Sequence, residues 1–328
     1  MKDSALCILA LGAALFVGPC LAQNAAPYPN KPVRIVSPFA PGGGSDLMAR
    51  TLALEFGKDL KQTFIVDNRT GGNGNIGSDI VARAPSDGYT LLLTTNATIV
   101  INPQLFTKVV TYDPVRDFSP ISLVASQPFV LVLHPSVQAK SVPELIALAK
   151  AKPATLNYGS SGSGGGAHLA GEMLKTFSGV DITHVPYKGS NPGLTALAGG
   201  QVQFMFVAVL AATPLIEQNR VRAIAVSTAK RNPALPNLPA VSEFPGLEKF
   251  ESDLWYGLLA PGKTPSAIVD QLHAAARAAL ARPEVKSRFE PSGTVLVAST
   301  PKQFTETIRQ DIARWGNVIR TAKVTPEY

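Results

Sequence analysis

Three glycine-rich loops, each preceded by a short apolar run and followed by a helical pattern, constrain this chain more than any other feature. They are Pro41-Gly42-Gly43-Gly44-Ser45-Asp46, Gly71-Gly72-Asn73-Gly74-Asn75-Ile76-Gly77 and Gly159-Ser160-Ser161-Gly162-Ser163-Gly164-Gly165-Gly166. Strand, tight loop and helix in that order form the unit of a parallel α/β sheet. A helix N-terminus leaves backbone N–H groups unpaired and carries partial positive charge, and glycine lets a ligand approach them, so each loop suits a small anion. A single loop of this kind is more often a plain tight turn. Three in one chain suggest an acidic solute.

The rest of the chain repeats the alternation. Val33–Ser37 reads as a first strand, followed by a helix with Met48, Leu52, Phe56 and Leu60 on one stripe, then strands at Phe64–Val66 and Thr90–Leu93. A second set follows: a strand at Phe129–Leu133, a helix with Val142, Leu145, Ile146 and Ala149, a strand at Leu156–Tyr158 and a helix from about Ala167. Strands near Ile182–Val185, Val202–Val207 and Ala223–Val226 complete it. The tail holds a strand at Leu254–Leu259, a helix bearing Ile268, Leu272, Ala275 and Ala279, and a long helix with Phe304, Ile308, Ile312, Trp315 and Ile319. Too small for a third domain, the tail is expected to pack back on the first.

The first 22 residues read as an export signal: Lys2, an apolar run from Ala5 to Val17, and the small-residue exit Cys20-Leu21-Ala22, with cleavage expected before Gln23. That run is too short to span a bilayer. Acylation at Cys20 is the weaker alternative, because Pro19 fits a lipoprotein signal poorly. Both cysteines, Cys7 and Cys20, fall in the removed part, so the mature chain is expected to carry no disulfide or thiol chemistry. Roughly 300 mature residues exceed one typical core and suit two domains. The net charge of +7 is spread rather than clustered. No basic stripe interleaved with aromatics is present, so nucleic acid is not an expected partner.

Six motifs now carry a resemblance. Val36-Ser37-Pro38-Phe39-Ala40-Pro41-Gly42-Gly43-Gly44-Ser45-Asp46, Asp67-Asn68-Arg69, Asp87-Gly88-Tyr89-Thr90-Leu91, Tyr112-Asp113-Pro114-Val115-Arg116-Asp117-Phe118, Val185-Pro186-Tyr187-Lys188-Gly189 and Trp255-Tyr256-Gly257 occur in that order. Together they resemble the extracytoplasmic solute receptors of tripartite tricarboxylate transporters, the Bug family. The resemblance implies an α/β, type II-like, two-lobed periplasmic binding protein with a ligand cleft between the lobes. It further implies a monomer that closes on a small organic carboxylate and presents it to the integral membrane components of a transporter. The expected divisions are 1–22 for the signal, 23–125 with 253–328 for one lobe and 126–252 for the other, with crossings near Ala125 and Ser252.

The same resemblance directs attention to particular residues. Phe39, Ala40, Gly42, Gly43 and Ser45 would face Ser160, Ser161, Ser163, Gly164 and Gly165 across the cleft, with Asn75 in the second loop and Thr95 and Asn96 at the open end of a parallel strand. Asp46 is a candidate, although a carboxylate repels an anion and capping its own helix suits it better. His168, in the first turn of the helix after the third loop, could donate to an anion, the alternative being a histidine that merely sits at a solvated helix start. Tyr187 and Asp253 are cleft positions that a packed ring or a hinge cap would equally explain. Val207 and Ala208 stand where the family usually carries a polar pair; if they line the wall, the ligand has an apolar or aromatic body. The alternative is that Val207 packs in the core.

The other reading is a secreted α/β enzyme acting on a small acidic or nucleotide-like substrate. Gly257-Leu258-Leu259-Ala260-Pro261-Gly262-Lys263-Thr264 fits a phosphate-loop pattern by letter, but its first half reads as strand and its leucines are bulky where a phosphate cradle needs small residues. Gly72-x-Gly74-x-x-Gly77 is a weak dinucleotide match. No G-x-S-x-G elbow occurs, the Ser-x-x-Lys matches lack their companion motifs, and the four histidines are scattered. Neither a metal nor a cofactor is expected.

Overall fold

The computed structural model of the protein describes residues 27–325, so the expected export segment, with both cysteines and the cleavage point, lies outside the described residues. Strand β1 (Val33–Ser37) leads through the first glycine loop into α1 (Gly44–Leu60). Strand β2 (Phe64–Asn68) leads through the second into α2 (Asn75–Ala82), and β3 (Thr90–Thr95) ends in a π-helical turn over Ala97–Ile101 followed by α3 (Asn102–Leu105). After β4 (Phe118–Leu133) come α4 (Val142–Ala151), β5 (Asn157–Ser160), the third glycine loop, α5 (Gly166–Ser178), β6 (Thr183–Pro186), α6 (Ser190–Ala198), β7 (Phe204–Ala208), α7 (Val209–Glu217) and β8 (Arg222–Val226). The tail is β9 (Asp253–Pro261), α8 (Ser266–Ala281), α9 (Pro283–Phe289), β10 (Val295–Leu296) and α10 (Pro301–Thr321).

The strands form one curled mixed sheet in the order β2-β1-β3-β9-β4-β7-β5-β6, with β8 and β10 also on β4. Parallel pairing of β1 with β2 and β3, and of β5 with β6 and β7, gives two α/β units, as expected. What joins them is β4. Its residues Phe118–Pro128 pair with β9, and Phe129–Leu133 pair with β7, so the strand changes partners between Pro128 and Phe129. The expectation of a strand at Phe129–Leu133 thus caught only the second part of a 16-residue element. Ser119, Pro120, Ser122, Ser126, Gln127 and Pro128 break the apolar run, and irregularities between Pro120 and Ser122 and between Leu123 and Ala125 absorb it in the ladder.

Two buried serines sew the chain together where it passes between the units. The Phe129 N–H donates to Ser227 Oγ at 2.9 Å, Ser227 N–H to the Phe129 carbonyl at 2.9 Å and Ser252 N–H to the Ser227 carbonyl at 2.9 Å, while the Ser227 hydroxyl donates to the Ser252 carbonyl.

The first unit is held by the stripe the sequence displays. Met48, Leu52 and Phe56 of α1 are fully buried against Val33, Ile35, Leu91 and Leu93 and against Leu272, Ala276 and Ala279 of α8. Each large side chain of that set contributes about 1.5–3 kcal/mol of burial. Beneath them Glu55, 2% exposed, is paired with Lys58 at 2.7 Å and with Arg282 at the end of α8. The tail therefore does return to the first unit. Helix α10 adds Phe304, Ile308 and Trp315 to the core around Trp255.

Candidate functional site

All three glycine loops lie at the carboxyl ends of parallel strands, the edge where open α/β sheets hold ligands. They form a continuous row. Phe39 in the first lies against Gly74 in the second, where an added β-carbon would stand 3.3 Å from its ring. From the second loop, Asn73 Nδ2 reaches the Ser163 carbonyl of the third at 3.5 Å. Gly164 is packed so closely on Leu105 and Phe106 that a β-carbon would meet Leu105 at 2.7 Å. The two units thus touch through these loops.

In the first loop, Phe39 is half-buried and Ala40, Gly42 and Gly43 are exposed. Asp46 is 3% exposed and already fully engaged: it accepts from Gly42 N–H at 2.9 Å, Arg50 Nε at 3.0 Å and Asn68 Nδ2 at 3.0 Å. Burial opposes its ionisation, but the bonds from Arg50, Gly42 and Asn68 outweigh burial and hold the carboxyl below its usual range. Asp46 staples the loop and is corrected from the ligand set. Ser45 is also corrected as a hydroxyl donor to ligand, since its Oγ donates to the Leu93 carbonyl at 3.2 Å and meets Ser37 Oγ at 3.2 Å. These contacts fix the helix start, leaving the first-turn N–H groups of Gly44, Ser45 and Asp46 without carbonyls four residues back. A β-carbon at Gly44 would fall on the Tyr256 hydroxyl.

Asn75, placed in the binding set by its loop, is 6% exposed and turned inward: Oδ1 accepts from Asn102 Nδ2 at 2.8 Å and from the Tyr112 hydroxyl at 3.0 Å. Thr95 and Asn96 are buried at the cleft end of β3, and Asn96 Nδ2 donates to the Asp253 carbonyl at 2.8 Å, tying β3 to the start of β9. Asp253 is engaged within the protein at the start of β9: Ser126 Oγ donates to its Oδ2 at 2.7 Å and Arg314 lies 3.5 Å from Oδ1. Arg314 also pairs with Asp311 at 2.8 Å and Glu251 at 3.3 Å. Arg69, the basic residue nearest the loops in sequence, is spent on Asp67 at 2.9 Å.

The third loop is organised by its surroundings. Ser161, Ser163 and Gly165 are half-buried and Gly164 is buried. Ser160, fully buried, accepts from Gly162 N–H at 3.1 Å and stands 2.7 Å from His184 Nε2. His168 is not at a solvated helix start: it is 4% exposed, its Nδ1 accepts from Gly164 N–H at 3.0 Å, and its ring stacks on His184 with centroids 3.8 Å apart. Burial, and secondarily His184, push its pKa down to about 3. Neutral and committed to Gly164, Nδ1 offers nothing to an anion. Tyr187 is half-buried at the end of β6, with its N–H donated to the Ser160 carbonyl at 3.1 Å. Local pattern did not mark His184, Leu105 or Phe106, which the fold brings against the third loop.

Val207 needs the plainest correction. It is 1% exposed and packs with Val130, Leu194, Met205 and Val221 under α6 and α7. Alternation along β7 puts Phe206 in the core on the opposite face, leaving only the half-exposed Ala208, at the strand end, near the cleft edge. The inference to an apolar ligand body loses its support. A groove of about 580 Å³ lined by Val130, Val209, Thr213, Arg222 and Leu238 runs beside α7 and includes none of the glycine-loop residues. Among the described residues no group of three metal-ligating side chains is assembled. The phosphate-loop match has Gly257–Pro261 inside β9, unable to wrap a phosphate.

The site therefore offers oriented neutral N–H donors, with nearby carboxylates and guanidinium groups already paired among themselves. Residues 48–324 match a family model described as the tripartite tricarboxylate transporter family receptor. Three solved structures are similar along nearly the whole chain. R. palustris Rpa4515 with adipate is 36% identical with a TM-score of 0.84, covering 92% of this chain and all of that one. The periplasmic binding protein BugD is 34% identical with a TM-score of 0.80, covering 92% of this chain and all of that one. MatC from Rhodopseudomonas palustris with bound malate is 31% identical with a TM-score of 0.79, covering 89% of this chain and all of that one.

Proposed function

This chain belongs to the tripartite tricarboxylate transporter receptor family, and from that premise we propose that it is a periplasmic receptor that closes on a small dicarboxylate. The loaded form would then be presented to the membrane components of its transporter. One observation carries the reading: three glycine loops from both units meet at the carboxyl ends of parallel strands, with Asp46, Ser45, Asn75 and His168 consumed in holding them. Helix starts at Gly44 and Gly166 supply the N–H groups for carboxylate, and Ser161 of the third loop supplies a hydroxyl. Adipate and malate in the neighbours indicate a linear dicarboxylate of that size.

The lobes we assign are 27–128 with 253–325, and 129–252, moving about the Ser227–Ser252 stitch and the Arg314 cluster. Export by residues 1–22 and a monomeric state belong to the same reading. The enzyme alternative finds a Ser–His pair at nucleophile–base distance in Ser160 and His184, but Ser160 has no exposed surface and its hydroxyl is held on the loop.

The test is a thermal-shift panel of adipate, malate, tricarboxylates and nucleotides, followed by product analysis. A dicarboxylate at about a hundred times its dissociation constant should add about 2.7 kcal/mol of stability and be recovered unchanged. Stabilisation by nucleotides alone, or turnover of the acid, would overturn the proposal.

A further inference from the structure

We propose that the stacked His168–His184 pair is the positioning device of the third glycine loop, each ring setting one backbone N–H of the loop. This rests on the carboxylate-receptor reading above. His168 acts directly, its Nδ1 taking the Gly164 N–H at 3.0 Å. His184 acts through Ser160, whose Oγ sits 2.7 Å from His184 Nε2 and takes the Gly162 N–H at 3.1 Å. The two glycines so held have φ of +79° and +137°, conformations that L side chains rarely adopt, so the loop would not keep this shape by local preference among non-glycine residues.

The rings themselves are fixed. They stack at 3.8 Å and 15°, and Tyr158 lies 4.9 Å from His184 while its hydroxyl donates to Glu172 Oε1 at 2.5 Å. An acceptor at Nδ1 requires the His168 proton to be on Nε2. With Gly162 and Gly164 turned inward onto these partners, the first-turn N–H groups from Gly166 onward remain for a carboxylate. On sequence alone, donation to the ligand is one of two readings of His168. The geometry makes it an acceptor from the loop.

The experiment compares His168→Asn, whose Oδ1 replaces Nδ1 as an acceptor, with His168→Phe, which keeps a stacking ring and loses the acceptor. Adipate and malate are titrated calorimetrically into the full chain and both variants, with circular dichroism to follow folding. The Asn variant should bind within about threefold of wild type and the Phe variant at least tenfold more weakly, both remaining folded. A Phe variant that binds as wild type does, or an Asn variant that loses as much as Phe, would overturn the proposal. A ligand-free readout stands beside it: wild type should show a nitrogen–nitrogen coupling across the Gly164 N–H to His168 Nδ1 bond by NMR, lost in His168→Phe. Absence of that coupling in wild type overturns the device itself, whereas coupling with no binding of either acid sinks the dicarboxylate reading and, with it, the role of the device in binding.

Discussion

Acid should weaken this fold through His168, by an amount that its surroundings set. The ring is 4% exposed, and desolvation first and the neighbouring His184 second lower its pKa from 6.5 to about 3. Facing it are His184 from β6, Tyr158 from β5 and Glu172 on its own helix, whose carboxylate takes the Tyr158 hydroxyl. In the unfolded chain an ordinary histidine takes up a proton below about pH 6.5, whereas the folded chain refuses it until about pH 3. Unfolding therefore binds a proton between those values, and stability falls as pH drops through that window. The contribution is complete above about pH 6.5 and spent below about pH 3. It amounts to about 2 kcal/mol lost by pH 5 and approaches about 5 kcal/mol at the acid limit. His168→Asn keeps the Gly164 acceptor and cannot titrate. Urea unfolding, followed by circular dichroism and by the fluorescence of Trp255 and Trp315 to verify a single transition, should show wild type losing about 2 kcal/mol more than the variant between pH 7 and pH 5. Equal losses in the two proteins would refute the argument.

Two further substitutions follow from the same geometry. Gly44→Ala places a β-carbon on the Tyr256 hydroxyl and should displace the start of α1, lowering dicarboxylate affinity at least tenfold by calorimetry; unchanged affinity would mean that this helix start does not hold the ligand. Val207→Asp buries a carboxylate among Val130, Met205 and Val221 and should cost several kcal/mol in thermal unfolding; a variant melting with wild type would mean that Val207 does not occupy that core.

Much of the scaffold was legible in the sequence because it is written in local pattern. The stripe Met48, Leu52, Phe56 has the helical period and is buried as that period requires. The runs Val33–Ser37 and Phe64–Val66 lead into the loops that glycine makes possible, and both lie in parallel strands. Less legible were the first part of β4, whose prolines and serines hide a strand that pairing with β9 and β10 stabilises, and α7, which carries Pro214 inside it.

The sequence by itself determined the order of strands, loops and helices, the anion-suited helix starts and the family, since period, turn chemistry and motif order are properties of neighbouring residues. Only the tertiary structure decided what each polar group at those loops is for. Asp46 turned to Arg50 and Asn68, Asn75 to Asn102 and Tyr112, Asp253 to Ser126 and Arg314, and His168 to Gly164. Three of these four contacts draw on partners distant in the chain, and even the short-range bond of His168 depends on the ring of His184 stacked against it. Which face of β7 carries Val207 likewise follows from pairing with β4, not from the run itself. A buried polar group must find a partner wherever the fold brings one, and that choice is made in three dimensions.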